Sequence, residues 1–365
     1  MAIRRLEIAD LRNLSSVALD LDPQFNYLHG PNGAGKTAVL EAIHMLARGR
    51  SFRGGQVSAL IRHAAEMLVV RAVLQESRTV VVAKTRAGST ELRIDGETCR
   101  RLSDAASLLP IQLILPTVGD LVFGSPGERR RFLDWGVFHV KHAYLAELRA
   151  YLTLLKQRNA LLKAIGAGDS DASLLDSWNE PFVTKAEIVS QYRQQYVDEL
   201  APYFAEALGL LEPELDVQIG YRRGWGEQAL DKVLGETLPK EVKFGVSRSG
   251  PHRADLSLSI PSGNASVTLS RGQGKLLAIG LILAQARLLY ETSSQRGIFL
   301  IDDLGAEIDR AHGARMLALL RDSQSQVIAT STLEPAHFGD ALDRGSLKVF
   351  HVEHGTVIGS PQTSL

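Results

Sequence analysis

Residues 30–37 read Gly-Pro-Asn-Gly-Ala-Gly-Lys-Thr, a complete match to G-x-x-x-x-G-K-[ST]. Glycines let the backbone curl so that successive N–H groups turn inward and cradle phosphates. Lys36 is spaced to reach the terminal phosphates, and the Thr37 hydroxyl to ligate Mg²⁺. Gly30, Pro31, Asn32, Gly33, Ala34, Gly35, Lys36 and Thr37 are therefore the candidate nucleotide-binding residues. Upstream, Phe25–Leu28 has the run of a short strand. Downstream, Ala38–Ala47 carries a helical pattern, so the loop opens a helix whose N-terminus favours anions. Strand, glycine loop and helix together predict an α/β domain.

A second element lies at Arg296–Asp309. Ile298–Ile301 is four consecutive apolar residues, as a buried parallel strand requires. Asp302 and Asp303 follow it, at the end where open α/β sheets bind ligands. Asp302 is placed to hold Mg²⁺ and Asp303 to polarise an attacking water. A third element, Leu269-Ser270-Arg271-Gly272-Gln273-Gly274-Lys275, precedes the apolar helix Leu276–Tyr290. Ser270 can cap that helix and Gly272 allows close backbone approach, which makes its start an anion site.

The chain of 365 residues is long enough for two domains, or one domain with an insertion. It is 45% hydrophobic and 22% charged, as an ordinary globular protein is, and Lys+Arg equals Asp+Glu at 41 each. A nucleic-acid partner must therefore use a local basic patch. Arg48, Arg50, Arg53, Arg129, Arg130, Arg131 and Lys141 are candidates; a solvated face or salt bridges would give the same pattern. Cys99 is the only cysteine, which excludes an intrachain disulfide and a multi-thiol zinc site. The longest apolar stretch, Leu276–Ala284, reads as a buried helix rather than a membrane span. With no signal peptide visible, a cytoplasmic location is the expectation.

Met67–Gln75 and Thr79–Thr85 read as a hairpin, and Glu91–Ile94 as a further strand before an Asp95-Gly96 turn. Helical periodicity dominates from Arg129 to about Leu211. In Lys141–Ile165, apolar residues at 145, 148, 152, 155 and 162, with Asn159 among them, form a coiled-coil-like seam. A second stripe runs from Leu175 to Tyr203, with Pro181 as a kink or a start. An antiparallel helical hairpin of two helices, each about 25–30 residues and some 40 Å long, fits this pattern, and so does a bland helical subdomain. Strand character returns at Asp216–Tyr221, Glu241–Val246, Ala254–Ile260 and Ser266–Leu269.

A P-loop near residue 30, a Ser-x-Gly-Gln signature, and two acids followed by Glu307-Ile308-Asp309 look like an ABC-type ATPase head. Within that class the chain resembles the RecF family of bacterial recombination mediators. Further segments carry the resemblance: Leu11-Arg12-Asn13, Gly49–Arg53, Gly124-Ser125-Pro126, Arg129-Arg130-Arg131-Phe132-Leu133-Asp134-Trp135 and Gly250-Pro251-His252-Arg253. The resemblance implies an α/β fold, an ABC-type P-loop ATPase head of mixed β-sheets and helices with an inserted short helical-hairpin arm. The head would comprise residues 1–125 and 212–365, and the arm residues 126–211. It implies ATP and Mg²⁺ as ligands, with Arg12 and Asn13 near the nucleotide. Ser270 and Gly272 would contact the γ-phosphate of a second copy, so that Lys36, Asp303 and Ser270 (in trans) are the catalytic set. It further implies an ATP-dependent homodimer on duplex or gapped DNA without sequence preference. RecR, RecO and RecA are the expected partners, in recombinational repair, fork maintenance and SOS induction, with no membrane attachment.

The pattern has departures. Pro116–Asp120 lacks the Pro-Glu-Asp-Leu of many relatives, which leaves Gln112 as one candidate for a glutamine on Mg²⁺. Asp303 stands where transporters carry Glu, and Ser331-Thr332 follows Val327–Thr330 without a switch histidine. The expected activity is slow, DNA-stimulated hydrolysis of ATP, used as a switch. An ABC-type nucleotide-binding subunit and a non-hydrolysing ATP-binding scaffold are the competing readings.

Overall fold

The computed structural model describes residues 2–305, 310–338 and 346–359; the expected Glu307-Ile308-Asp309 lies outside them. In chain order the first strands are β1 (Ile3–Leu11), β2 (Leu14–Asp20), β3 (Phe25–His29), β4 (Met67–Leu74), β5 (Thr79–Thr85), β6 (Thr90–Ile94), β7 (Glu97–Thr98) and β8 (Ile111–Ile114). After them come β9 (Gln218–Arg222), β10 (Asp255–Ile260), β11 (Gly263–Asn264), β12 (Ile298–Ile301), β13 (Gln326–Ser331), β14 (Leu347–Glu353) and β15 (Thr356–Gly359). The helices are α1 (Lys36–Arg48), α2 (Leu102–Leu108), α3 (Asp120–Phe123), α4 (Pro126–Val140), α5 (Tyr144–Ala167), α6 (Asp176–Leu211), α7 (Leu230–Phe244), α8 (Ala265–Thr268), α9 (Arg271–Ser293) and α10 (Arg310–Asp322).

Two compact units emerge. The first holds Met1–Val118, Leu210–Glu212 and Leu289–Leu365. Its two six-stranded sheets run β2-β1-β4-β5-β6-β7 and β15-β14-β3-β13-β12-β8. The first is antiparallel, and the expected hairpin is the β4–β5 pair. In the second, β14, β3, β13, β12 and β8 run parallel. Every residue of β12 and β13 is buried, as a strand covered on both faces requires. Between the sheets lies α1, which packs on β1, β4, β5 and β13. That position explains why it is buried nearly all round rather than along one stripe. Gln326 ties the sheets together: its amide accepts from Ile3 N–H and donates to the Ile3 and Asp22 carbonyls.

The second unit holds Gly119–Gly209 and Pro213–Leu288. Residues 213–288 thus group with the helices, not with the head expected over 212–365. The reason is long-range pairing. The sheet β11-β10-β9 is separate from the other two, and Asp255 at the start of β10 takes both Nε and Nη2 of Arg129 on α4, at 2.7 and 3.1 Å. From the middle of α9, Gln285 donates to the Phe132 carbonyl and to the Tyr196 hydroxyl. The antiparallel helical pair is present: along α5, Tyr144, Tyr151 and Arg158 meet Arg193, Phe182 and Asn179 of α6 in reverse order. The helices have 24 and 36 residues, and α6 runs through both Pro181 and Pro202.

Three expectations are corrected here. Glu241–Val246 is not a strand; its first four residues end α7, whose buried Leu230, Leu234 and Glu241 follow helical spacing. Gly245 stops that helix in the left-handed conformation (φ 65°). Ser266–Leu269 falls on the short helix α8, capped by the Asn264 carboxamide accepting from Ser266 N–H. The buried stripe of α5 is Tyr144, Tyr151, Arg158 and Leu162, one position off most of the expected seam, and Leu152 is 47% exposed. α9 is long and apolar enough to cross a membrane, and 72% of its apolar window is buried inside the fold, as in a core helix.

Candidate nucleotide site

The phosphate loop connects β3 to α1, with β13 and β12 next in the sheet. Gly30 has φ 151°, and a Cβ there would stand 2.0 Å from the Val352 carbonyl oxygen, so only glycine fits under β14. Gly35 caps α1 at φ 118° and offers no side-chain acceptor, and no acid stands in the first turn. The first N–H groups of α1 are thereby left for an anion, in the field of the helix dipole. Around Gly33 nothing lies within 4 Å of a Cβ position. Lys36 Nζ donates to the Gly30 and Pro31 carbonyls at 2.7 and 2.9 Å, which holds the ammonium across the loop. Burial pulls the Lys36 pKa below its ordinary value, against the opposing pull of Asp303 and Asp302.

The acidic strand end joins this loop through hydroxyls. Thr37 Oγ1 donates to Asp302 Oδ1 at 2.9 Å, and Thr330 Oγ1 donates to the same oxygen at 2.8 Å. Thr330 also accepts the Asp303 N–H at 3.0 Å. Asp303 itself adopts φ 59°, a left-handed conformation that Asp tolerates better than most residues. Thr330 was not singled out from the sequence. Its signal was its place as the penultimate residue of a fully buried parallel strand, where its side chain has no apolar reason to be.

Asn13 bonds the loop directly, whereas the hydrogen bonds of Arg12 go to α1 and to Ala59. Asn13 Nδ2 donates to the Gly33 and Ala34 carbonyls at 3.1 and 3.0 Å, a brace on the cradle itself. Arg12 instead forks onto the buried Glu41 of α1 at 2.9 and 3.1 Å and onto the Ala59 carbonyl. Glu41 also accepts from Ser51 Oγ. Gln112 is not brought to the metal position. It pairs in register with Phe299, three residues before Asp302 or about 10 Å along the strand.

Ser270 and Gly272 are exposed in the second unit. Ser270 Oγ accepts the Gln273 N–H, and Gln273 Oε1 accepts the Ser270 N–H, a reciprocal capping box at the start of α9. Of the arginines considered for DNA, Arg129 is buried against Asp255, and Arg130 donates to the Ala254 carbonyl. These two brace the second unit. Arg131 pairs with Glu128, and Lys141 with Glu199. Arg50 and Arg53 are exposed, and burial lowers the pKa of the half-buried Arg48.

The donor set fits Mg²⁺ with a nucleoside triphosphate. Thr37 and Asp302 supply two adjacent oxygens, and Mg²⁺ takes one or two protein oxygens plus phosphates and water. Among the described residues no group of three or more His, Cys, Asp or Glu could hold a metal by itself. Such a site is suited to phosphate binding and, through Asp303, to orienting a water.

Three comparisons bear on this geometry. Residues 2–357 match the family model for the RecF/RecN/SMC N-terminal domain. The chain is 38% identical over 361 residues to the DNA replication and repair protein RecF of Shewanella piezotolerans, covering 98% of this chain and 99% of that one. It is equally similar to its counterpart in Shewanella pealeana, over the same shares. Among solved structures, it superimposes on the recombination mediator protein RecF-ATPrS in the RecFOR pathway with a TM-score of 0.86 at 23% identity, covering 98% of each chain. A Smc head domain from Pyrococcus furiosus, bound to the C-terminal domain of ScpA, matches at a TM-score of 0.58 and 15% identity, over 98% of this chain and 96% of that one. The fold is that of an ABC-type ATPase head, mixed sheets with helices.

Proposed function

This chain belongs to the RecF/RecN/SMC N-terminal domain family and is a RecF-type member of it, and on that premise we propose that it is an ATP-switched DNA-binding protein of replication and recombinational repair. The observation that carries the reading is the Thr37–Asp302 hydrogen bond, which sets the hydroxyl of the phosphate loop beside the carboxylate at the strand end. Lys36 holds the terminal phosphates, and the first turn of α1 receives them. Mg²⁺, when bound through Thr37 and Asp302, supplies charge neutralisation at the phosphates. Asp303 orients a water and accepts its proton. Ser270 and Gly272 of a second copy complete the γ-phosphate contacts, so nucleotide affinity becomes dimer affinity by mass action.

Asp is one methylene shorter than Glu, and turnover is slow enough for a switch. The dimer sits in the cytoplasm on duplex or gapped DNA. Arg48, Arg50, Arg53 and Arg131 contribute contacts to the phosphate backbone, which are sequence-independent and salt-sensitive. RecR and RecO act with it to load RecA at gaps. Analytical ultracentrifugation with ATP, with gapped DNA and with both tests the scheme. The expected result is a dimer with ATP that is strengthened by DNA; a constant monomer in every condition overturns it. Lys36→Arg keeps the charge but changes the phosphate geometry, so that variant is expected to lose ATP-driven dimerisation. Steady-state hydrolysis by wild type and Asp303→Asn separates a slow ATPase from a scaffold, for which the two rates are equal and negligible.

A further inference from the structure

We propose that α5 carries a docking face for an amphipathic helix of a partner protein, one with an apolar heptad seam and an acidic flank. Leu145, Leu148, Leu152 and Leu155 recur at alternating steps of three and four, the spacing of one side of a coiled coil. The fold buries a neighbouring stripe of α5 instead, Tyr144, Tyr151, Arg158 and Leu162. Toward the C-terminus of α5 the same seam is occupied from within the chain. Asn159 accepts from the N–H and hydroxyl of Ser247, both at 2.7 Å, and the end of α7 closes over Gly166. Before Asn159 that cover stops: Leu152 is 47% exposed, and Leu145, Leu148 and Leu155 are only partly buried.

The charge beside the seam decides the occupant. Arg149 and Lys156, seven residues apart and each following a seam leucine, are both exposed and have no ion-pair partner among the described residues. Glu147, the one acid of α5, is bonded to Lys185 of α6. A second α5 laid antiparallel would set these cations against their own copies, which opposes self-pairing. A helix with Glu or Asp along its flank covers the leucines and pairs with both cations. DNA would use the cations but leave the leucines uncovered. The open stretch of 11 residues spans about 16 Å, three turns of helix, so binding is modest and salt-dependent. This face is independent of the nucleotide site.

The test is fluorescence anisotropy of the full chain with two labelled 21-residue helical peptides. Both carry Leu and Ile at the seam positions; one has Glu on the flanks and the other Lys. The Glu peptide is expected to bind at least tenfold tighter than the Lys peptide. Leu152→Glu, a surface change whose folding is checked by circular dichroism, should weaken it tenfold or more. Arg149→Glu with Lys156→Glu should reverse the preference. Equal affinity for the two peptides, or none for either, overturns the proposal. So does self-association of the wild type that Leu152→Glu abolishes, which makes a second copy the occupant. Loss of duplex DNA binding in the Arg149/Lys156 double variant, with Leu152→Glu neutral, assigns the face to nucleic acid and overturns it as well.

Discussion

Asp302 beside the phosphate loop and Glu241 in the helical unit are both acids held by short contacts, but their partners are opposite in character. Asp302 is half-buried and accepts from two neutral hydroxyls, Thr37 and Thr330. Glu241 is fully buried, 2.7 Å from the equally buried guanidinium of Arg158, and also accepts the Arg248 N–H. The hydroxyls orient Asp302 without cancelling its charge, which stays available to a cation. Arg158 cancels the charge of Glu241 in place. Asp255 belongs with Glu241 in this contrast, since Arg129 and Arg222 both hold it.

The comparison breaks most sharply at Arg158. Arg158→Ala leaves a buried carboxylate unpaired and should cost about 3–5 kcal/mol in urea unfolding. Replacing Arg158 and Glu241 together by leucine should recover most of that loss; a double variant as unstable as the single one would show that the pair's geometry, not its charge balance, holds the unit.

His44 on α1 shows the opposite case, a buried base kept neutral. Burial lowers its pKa to about 4, although its ring donates Nδ1–H to the Arg50 carbonyl. Between pH 6.5 and 4 the unfolded chain binds a proton that the folded chain refuses. The stability contribution is therefore full above pH 6.5 and falls as pH drops toward 4, by about 3 kcal/mol. His44→Phe should flatten that part of the stability profile; an unchanged slope would place the titration elsewhere.

Asp302→Asn keeps an acceptor oxygen but removes the charge. Stability should change by less than about 1 kcal/mol, while nucleotide affinity in Mg²⁺ should fall tenfold or more, about 1.4 kcal/mol. Calorimetry with Mg²⁺ and with EDTA checks this, and the variant and wild type should converge in EDTA. The smallest effect is expected at Asn13→Ala. It frees two solvent-reachable carbonyls of the loop and should cost about 1 kcal/mol, read as weaker nucleotide binding with an unchanged fold.

Much of the local structure of the candidate nucleotide site was legible because its parts are contiguous in sequence. A phosphate loop needs its glycines, lysine and threonine at fixed offsets, and a buried parallel strand needs an unbroken apolar run. The misplaced strands at Glu241–Val246 and Ser266–Leu269 show the limit of short windows. Four to six residues of mixed apolar character do not distinguish the last turn of a helix from a strand, and Pro239 inside α7 disguises it further. Gln112 failed for a related reason: sequence placed it on the strand, but only the register with Phe299 sets it below the carboxylates.

The sequence by itself determined the glycine loop, the acidic strand end, a helix capped by Ser270 and the helical character of the segment from Arg129 to about Leu211, since each depends on neighbours along the chain. Only the tertiary structure decided that Thr330 bridges Asp302 and Asp303, that Arg129 is buried against Asp255 while Arg130 bonds the Ala254 carbonyl, and that residues 213–288 join the helices. It also decided which of two adjacent stripes on α5 is buried. Periodicity marks apolar faces, but burial of one face over another depends on which distant segments arrive to cover it.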